Sequence, residues 1–185
     1  HFFSNESGDQ LRQRITEVQY LPKSHIDAWV QQKNRTVQNA SRGGQGGFGR
    51  GGASGERVMA IRRRVLRALH DGNAKIVFGT DSPQLFNIPG FAIHREMPVM
   101  VESGFTPYEV LESATAKAAE YFGTTAEVGT VATGKRADLI LLEANPLETV
   151  SNVAKRAGVM VRGRWLPESE IQQRLAKYAA ASTKN

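Results

Sequence analysis

A short apolar run that ends in a carboxylate constrains the fold of this chain most. From Lys75 to Pro83 the sequence is Lys-Ile-Val-Phe-Gly-Thr-Asp-Ser-Pro. The apolar part is short and bounded by turn residues, which is typical of a buried parallel strand. Polar residues just past the C-terminal end of such a strand are where α/β folds place their chemistry. Asp81 is therefore the first candidate for a functional residue, and the alternative is that it caps the turn begun by Ser-Pro.

A helix is predicted directly before this strand. From Glu56 to His70 apolar residues recur at helical spacing, and arginines occupy most of the opposite face. The residues 71–73, Asp-Gly-Asn, tolerate the left-handed conformation that ends a helix. A helix, a turn and a strand in this order predict an α/β fold with a parallel sheet or barrel. His70 is interpreted as structural, because a cation suits the C-terminal end of a helix.

The segment from Ser82 to Phe91 is predicted to be a loop, since it contains two prolines and a glycine. A loop that leaves the end of a barrel strand can shape a pocket, so Ser82 is a candidate substrate contact. His94 follows at the start of the next helix and is either a second substrate contact or an ordinary polar residue. Pro98 predicts that this helix begins near Met97 or is kinked there.

The flanking segments are predicted to have a structural role. Helices are predicted around Leu11–Val18, from an N-cap at Ser24, and from Thr106, where Pro and Glu complete a capping box. A buried strand over 138–142, a hairpin over 159–166 and an amphipathic helix over 168–181 follow. Asp138 is interpreted as an anchor of its turn rather than as a catalytic group, and His25 as an exposed polar residue.

Composition excludes several classes of protein. No apolar run approaches the ~18 residues of a membrane span, and residues 1–5 do not resemble a signal peptide, so a soluble chain of unknown compartment is expected. The absence of Cys excludes disulfides, thiolate metal sites and a Cys nucleophile. A chain that opens without Met on His-Phe-Phe is expected to be a fragment.

The segment from Asn39 to Gly55 differs sharply in composition from the rest. It holds eight glycines, which favour a flexible insertion. An alternative function follows from Arg42, Phe48 and Arg50, because arginine–glycine repeats around an aromatic ring suit a binding protein that contacts RNA or another anion. The basic charge also lies in this half, since residues 1–75 hold 13 of the 24 Lys and Arg and 6 of the 18 Asp and Glu.

These segments, in their order and spacing, resemble the C-terminal part of the metal-dependent amidohydrolase superfamily, particularly its imidazolonepropionase-like and prolidase-like branch. The resemblance covers roughly residues 57–167. The motifs that carry it are Ile76–Asp81, Pro89-Gly90-Phe91 with His94-Arg95-Glu96, Gly104–Pro107, Ala114-Thr115, Gly129–Val131, Gly134–Leu139 and Gly163–Trp165.

The resemblance implies the C-terminal portion of a (β/α)8 barrel over residues 1–123, with the insertion at 39–55. It implies part of a small β-sandwich over 124–167, followed by a C-terminal helix and tail over 168–185. Asp81 would then end the eighth barrel strand, contact a divalent metal, most simply zinc, and carry a proton from the attacking water. The implied activity is hydrolysis of a C–N bond in a cyclic amide or a dipeptide.

The rest of the implied metal site is missing from this sequence. The family also uses a His-x-His, a carboxylated Lys or a Glu, and further histidines, whereas the histidines here are His1, His25, His70 and His94. A catalytic zinc normally takes about three protein ligands. Either the N-terminal part of the barrel lies on a partner chain or was lost, or this chain has no metal chemistry of its own. The first alternative makes that part of the barrel the implied partner, and this chain alone is expected to be inactive. A homo-oligomer stays open, and no membrane partner is expected.

Overall fold

A computed structural model of the protein describes residues 4–41 and 55–182. These residues form seven α-helices, two short 3-10 helices and three strands. The helices are α1 (Gly8–Arg14), α2 (Lys23–Ser41), α3 (Gly55–Asp71), α4 (Ile93–Glu102), α5 (Pro107–Ala114), α6 (Ala116–Tyr121) and α7 (Glu168–Ser182); the strands are β1 (Leu139–Leu142), β2 (Arg156–Val161) and β3 (Arg164–Pro167); the 3-10 helices are Thr16–Tyr20 and Val150–Ala154.

The chain divides into two compact units. Among the described residues, the first unit is drawn from 4–41, 55–62, 81–92 and 175–182, and the second unit from 63–80 and 93–174. The predicted mixture of helices and sheet is confirmed. None of the helices in the described ranges is long and apolar enough to cross a membrane.

The core of the first unit joins α1 and α2 to the loop that follows Asp81. Its buried members are Leu11, Ile15, Val18, Ile26, Trp29, Val30, Leu85, Phe86 and Ile88. Gly8 permits the close approach of the two helices, because a Cβ there would lie 2.4 Å from the Val30 carbonyl oxygen. The predicted N-cap at Ser24 is wrong. The helix begins one residue earlier, and the Pro22 carbonyl accepts from the His25 and Ile26 N–H groups at 3.0 and 3.2 Å.

The core of the second unit lies between α4, α5 and the second 3-10 helix. Its buried members are Met97, Met100, Phe105, Val110, Val150 and Val153. The capping box predicted for α5 is confirmed, since the Thr106 hydroxyl accepts from the Glu109 N–H and the Glu109 carboxylate accepts from the Thr106 N–H. Helix α4 begins at Ile93 and contains Pro98, so of the two predicted alternatives the start near Met97 is wrong, and the kink stays a prediction. A proline inside a helix removes one backbone hydrogen bond, which α4 tolerates here.

The strands form one antiparallel sheet in the order β1-β2-β3. The predicted hairpin is confirmed: Arg162 and Gly163, with φ of 49° and 81°, make the tight turn between β2 and β3. Strand β1 exists as predicted, but the expectation that it is buried is wrong, because Ile140 and Leu141 are 55% and 57% exposed. β1 is an edge of this sheet, and β2 is the strand that pairs with it in the described residues.

The strand predicted from Ile76 to Gly79 does not form. Residues 74–80 carry no regular secondary structure, and the Phe78 N–H donates instead to the Ser113 carbonyl at 3.2 Å. Ile76 and Phe78 pack against the core of the second unit, while Val77 is 37% exposed. The alternation expected of a strand is thus present. A parallel strand also needs a parallel neighbour, and within residues 4–41 and 55–182 the paired strands are antiparallel.

Candidate functional site

Asp81 stands at the point where the irregular segment 74–80 passes into the loop of the first unit. Its side chain is exposed, and its backbone is left-handed with φ of 51°. Asp adopts this conformation more readily than most residues. The side-chain amide of Gln84 donates a hydrogen bond to Oδ2 of Asp81. The carboxylate is thus accessible to solvent, with one oxygen engaged by a neutral donor.

The loop that carries Asp81 is fixed to the core beneath it. Leu85, Phe86 and Ile88 are 7%, 0% and 2% exposed, so three side chains of the loop are buried. The Phe86 ring packs against Trp29 with centroids 5.6 Å apart. A bulky residue such as Phe rarely adopts a positive φ, and Phe86 has φ of 57°. Burial of its ring is what holds this conformation in place.

Backbone hydrogen bonds close the same loop on itself. The Gln84 N–H donates to the Asn87 carbonyl at 3.3 Å, and the Asn87 N–H donates to the Gln84 carbonyl at 2.7 Å. Further along, the Phe91 ring stacks on Tyr20 with centroids 5.2 Å apart and planes 8° from parallel. The prediction of a loop over 82–91 is therefore confirmed, and the loop is anchored at both ends.

The two remaining candidate residues lie in different units. Ser82 directly follows Asp81 in the first unit and is partly buried. His94 occupies the first turn of α4 in the second unit and is also partly buried. Asp81 and Ser82 are thus brought together by their adjacency in the chain, and the roles of Ser82 and His94 stay predictions.

Asp138 is a turn anchor, as predicted. Its Oδ1 accepts from the Arg162 backbone N–H at 2.7 Å, and its Oδ2 accepts from Nε of Arg136 at 2.6 Å. The Arg162 N–H and then the Arg136 guanidinium hold the pKa of the Asp138 carboxyl below its ordinary value. Both oxygens are bonded within the hairpin region, so this carboxylate serves structure.

A polar cavity of about 300 Å³ lies in the second unit, lined by residues that include His70, Asp71, Phe105 and Glu109. The His70 ring lies between two carboxylates, with Nε2 3.1 Å from Glu109 Oε1 and Nδ1 3.3 Å from Asp71 Oδ1. Hydrogen bonds to Glu109 and then Asp71 raise the pKa of His70. The imidazole links the end of α3 to the start of α5, which agrees with its structural interpretation.

The described residues do not make a metal site by themselves. In residues 4–41 and 55–182 no group of three or more His, Asp or Glu side chains is arranged to hold an ion. Asp81 contributes a carboxylate whose neighbour is the Gln84 amide, which is not a typical zinc ligand. The candidate residues in the described part of the chain therefore supply only part of a metal site. The arginine–glycine repeats at Arg42, Phe48 and Arg50 lie outside the described residues.

Sequence reasoning missed Gln84. The available signal was its position three residues after Asp81 in a loop with prolines on both sides, a spacing that allows a side chain to reach back across a turn. Sequence alone does not show that the turn closes, because closure depends on the burial of Phe86.

The chain is similar to known proteins over the segment that carries the motifs described above. The family model described as "Amidohydrolase family" matches residues 52–166. The imidazolonepropionase of Rubrobacter xylanophilus is 39% identical over 83 residues, which cover 42% of this chain and 19% of that protein. A candidate prolidase from Bifidobacterium longum is 34% identical, with a TM-score of 0.51 over 62% of this chain and 30% of the other.

A bottromycin amidohydrolase shares the fold more completely, with a TM-score of 0.69 over 98% of this chain and 38% of its own, at 23% identity. The chain therefore spans about a fifth of the curated relative and about a third of these solved structures. The matches confirm the resemblance to the imidazolonepropionase-like and prolidase-like branch.

Proposed function

The chain belongs to the amidohydrolase family, and from this membership we propose that the complete protein is a hydrolase that acts on C–N bonds. A cyclic amide or a dipeptide is the proposed substrate, since the relatives include an imidazolonepropionase and a candidate prolidase. In the complete protein, where the segment 76–79 would gain a parallel neighbour, the proposal places Asp81 at the C-terminal end of a strand of a (β/α)8 barrel, where such folds concentrate their chemistry. A β-sandwich segment over 124–167 belongs to the same proposal.

The observation that carries the proposal is the Asp81 carboxylate, exposed on a loop that buried side chains hold in place. A left-handed non-glycine residue is a conformation that often accompanies function. A carboxylate fixed in position can act as general base and then as general acid. These features support Asp81, rather than Asp138, as the reacting group.

The proposed step is a proton relay. Asp81 accepts a proton from water as the water oxygen bonds to the amide carbonyl carbon. It returns that proton to the leaving nitrogen as the C–N bond breaks, which regenerates the carboxylate. The products are a carboxylic acid and an amine, so atoms and charge balance.

A divalent metal, most simply zinc, belongs to the proposal because of the family. A catalytic zinc normally takes about three protein ligands, so it would need at least two besides Asp81. The described residues supply no such cluster. The ion's ligands are therefore proposed to come from the remainder of the complete protein. Ser82 and His94 are kept as proposed substrate contacts on the strength of the resemblance.

The test is the Asp81→Asn variant of the complete protein, assayed with imidazolonepropionate and with a panel of Xaa-Pro dipeptides. Turnover should fall at least ~100-fold, because general acid–base catalysis contributes about 10²–10⁴-fold. The melting temperature should not change, since Asn tolerates the left-handed backbone. Asp27→Asn is the control, a partly exposed aspartate paired with Arg12, and should retain full activity. Near wild-type turnover by Asp81→Asn would overturn the assignment.

A further inference from the structure

The Gln84 amide is the side chain that contacts the Asp81 carboxylate in the described part of the chain. We propose that Gln84 is a positioning residue that sets the orientation of Asp81 for proton transfer. This inference rests on the proposed function of Asp81. It assigns to the loop a second functional residue, one that acts through Asp81 and does not itself react.

The structure fixes the backbone that carries the Gln84 amide, although the side chain itself is exposed. Its backbone N–H and carbonyl both bond to Asn87, so the main chain from which the amide projects is closed into a turn. Leu85, the next residue, is 7% exposed, and Phe86 is fully buried. Rotation of the Gln84 backbone would break the turn or withdraw these side chains from the core. The backbone from which the amide projects is therefore held in place.

The contact has a directional consequence for Asp81. A donor on Oδ2 selects one rotamer of the carboxylate and leaves Oδ1 to exchange the proton with water and with the leaving nitrogen. Orientation of this kind contributes to rate because the reacting groups are held near their productive geometry. A neutral amide provides this orientation without placing a charge beside Asp81. The effect should appear in kcat rather than in KM.

Three Gln84 and Gln172 variants of the complete protein separate this role from a structural one. Gln84→Met keeps the length of the side chain and removes the donor. Gln84→Glu keeps the shape and replaces the donor with a carboxylate, which can donate to Asp81 only when it is protonated. Gln172→Glu is the matched control, because the Gln172 amide also donates to a carboxylate, that of Glu168 on α7.

We expect Gln84→Met to lower kcat by about 10- to 100-fold with KM unchanged, because a misplacement of ~1 Å in a catalytic group can cost about 10²-fold in rate. Gln84→Glu should lose at least as much kcat as Gln84→Met near pH 7, because an ionised carboxylate cannot donate to Asp81 and repels it. A residue with a merely structural role would lower the melting temperature and leave the kcat of the folded protein unchanged. Gln172→Glu should match the wild type throughout.

A second readout does not depend on substrate. The side-chain amide resonances of Gln84 should shift in Asp81→Asn, while those of Gln172 stay in place. If Asp81→Asn is inactive but both Gln84 variants match the wild type in kcat, or if the Gln84 resonances do not move, the positioning role is overturned and the function of Asp81 stands. If Asp81→Asn retains activity, the proposed function fails first and this inference fails with it.

Discussion

The loop around Asp81 and the segment that leads into β1 at Asp138 each present an aspartate outside regular secondary structure, and they use it in opposite ways. Asp138 bonds the Arg162 N–H with one oxygen and Arg136 with the other. Asp81 receives one side-chain amide, from Gln84, on a loop whose conformation is set by buried residues instead. At Asp138 the carboxylate holds the backbone, whereas at Asp81 the backbone holds the carboxylate. A carboxylate that is not needed for its own turn is available for chemistry.

The largest effect is expected when the buried support under Asp81 is removed. Phe86→Ala empties a fully buried ring site and should cost about 3–5 kcal/mol of unfolding free energy, the usual range for Phe to Ala in a core. Turnover at a temperature where the variant stays folded should also fall, because Gln84 and Asp81 lose their fixed turn. Urea unfolding measures the first effect and steady-state kinetics the second.

Phe122→Ala is the control for that experiment. Its ring is 71% exposed, and substitutions of exposed residues usually change stability by no more than about 0.5 kcal/mol. Equal losses for Phe86→Ala and Phe122→Ala would show that the loop is not held by its buried ring.

A smaller effect is expected at Glu109, another carboxylate with a structural role. Hydrogen bonds from the Thr106 N–H, then the Thr106 hydroxyl, then His70 lower the pKa of Glu109 to about 2. Because the folded value lies below the unfolded value of about 4.3, Glu109 stabilises the fold above that value and loses this contribution as the pH falls towards 2. Glu109→Gln should cost about 1 kcal/mol or less at pH 7, since the side chain is 35% exposed.

The measurement is urea unfolding of Glu109→Gln and wild type at several values from pH 7 to pH 2.5. The difference between the two proteins should shrink as the pH falls. Glu148→Gln, at an exposed position, is the control and should follow the wild type. A difference that stays constant with pH would contradict a structural role for the Glu109 charge.

Local signals predicted the scaffold well, because they act over a few residues. The capping box at Thr106 and the tight turn at Gly163 depend on short-range hydrogen bonds, and both formed as expected. The interpretation of Asp138 also succeeded, although only its bond from Arg136 is local, and its bond from the Arg162 N–H spans 24 residues.

The failures share a cause in longer-range contacts. The segment from Ile76 to Gly79 has the apolar pattern of a strand, yet strand formation requires a partner that its own sequence does not contain. The burial of Leu141 likewise depends on what packs over the sheet. Gln84 escaped notice because its role depends on Phe86 entering a core formed by residues far away in the chain.

The most direct test of the account compares Asp81→Asn with Asp138→Asn in the complete protein, measuring kcat and melting temperature for each. Asp81→Asn should lose at least ~100-fold in kcat and keep its melting temperature. Asp138→Asn should keep its kcat and melt a few degrees lower, because an amide NH₂ would face Arg136 in place of a carboxylate oxygen. An active Asp81→Asn, or an Asp138→Asn that loses turnover without losing stability, would contradict the division of roles between the two aspartates.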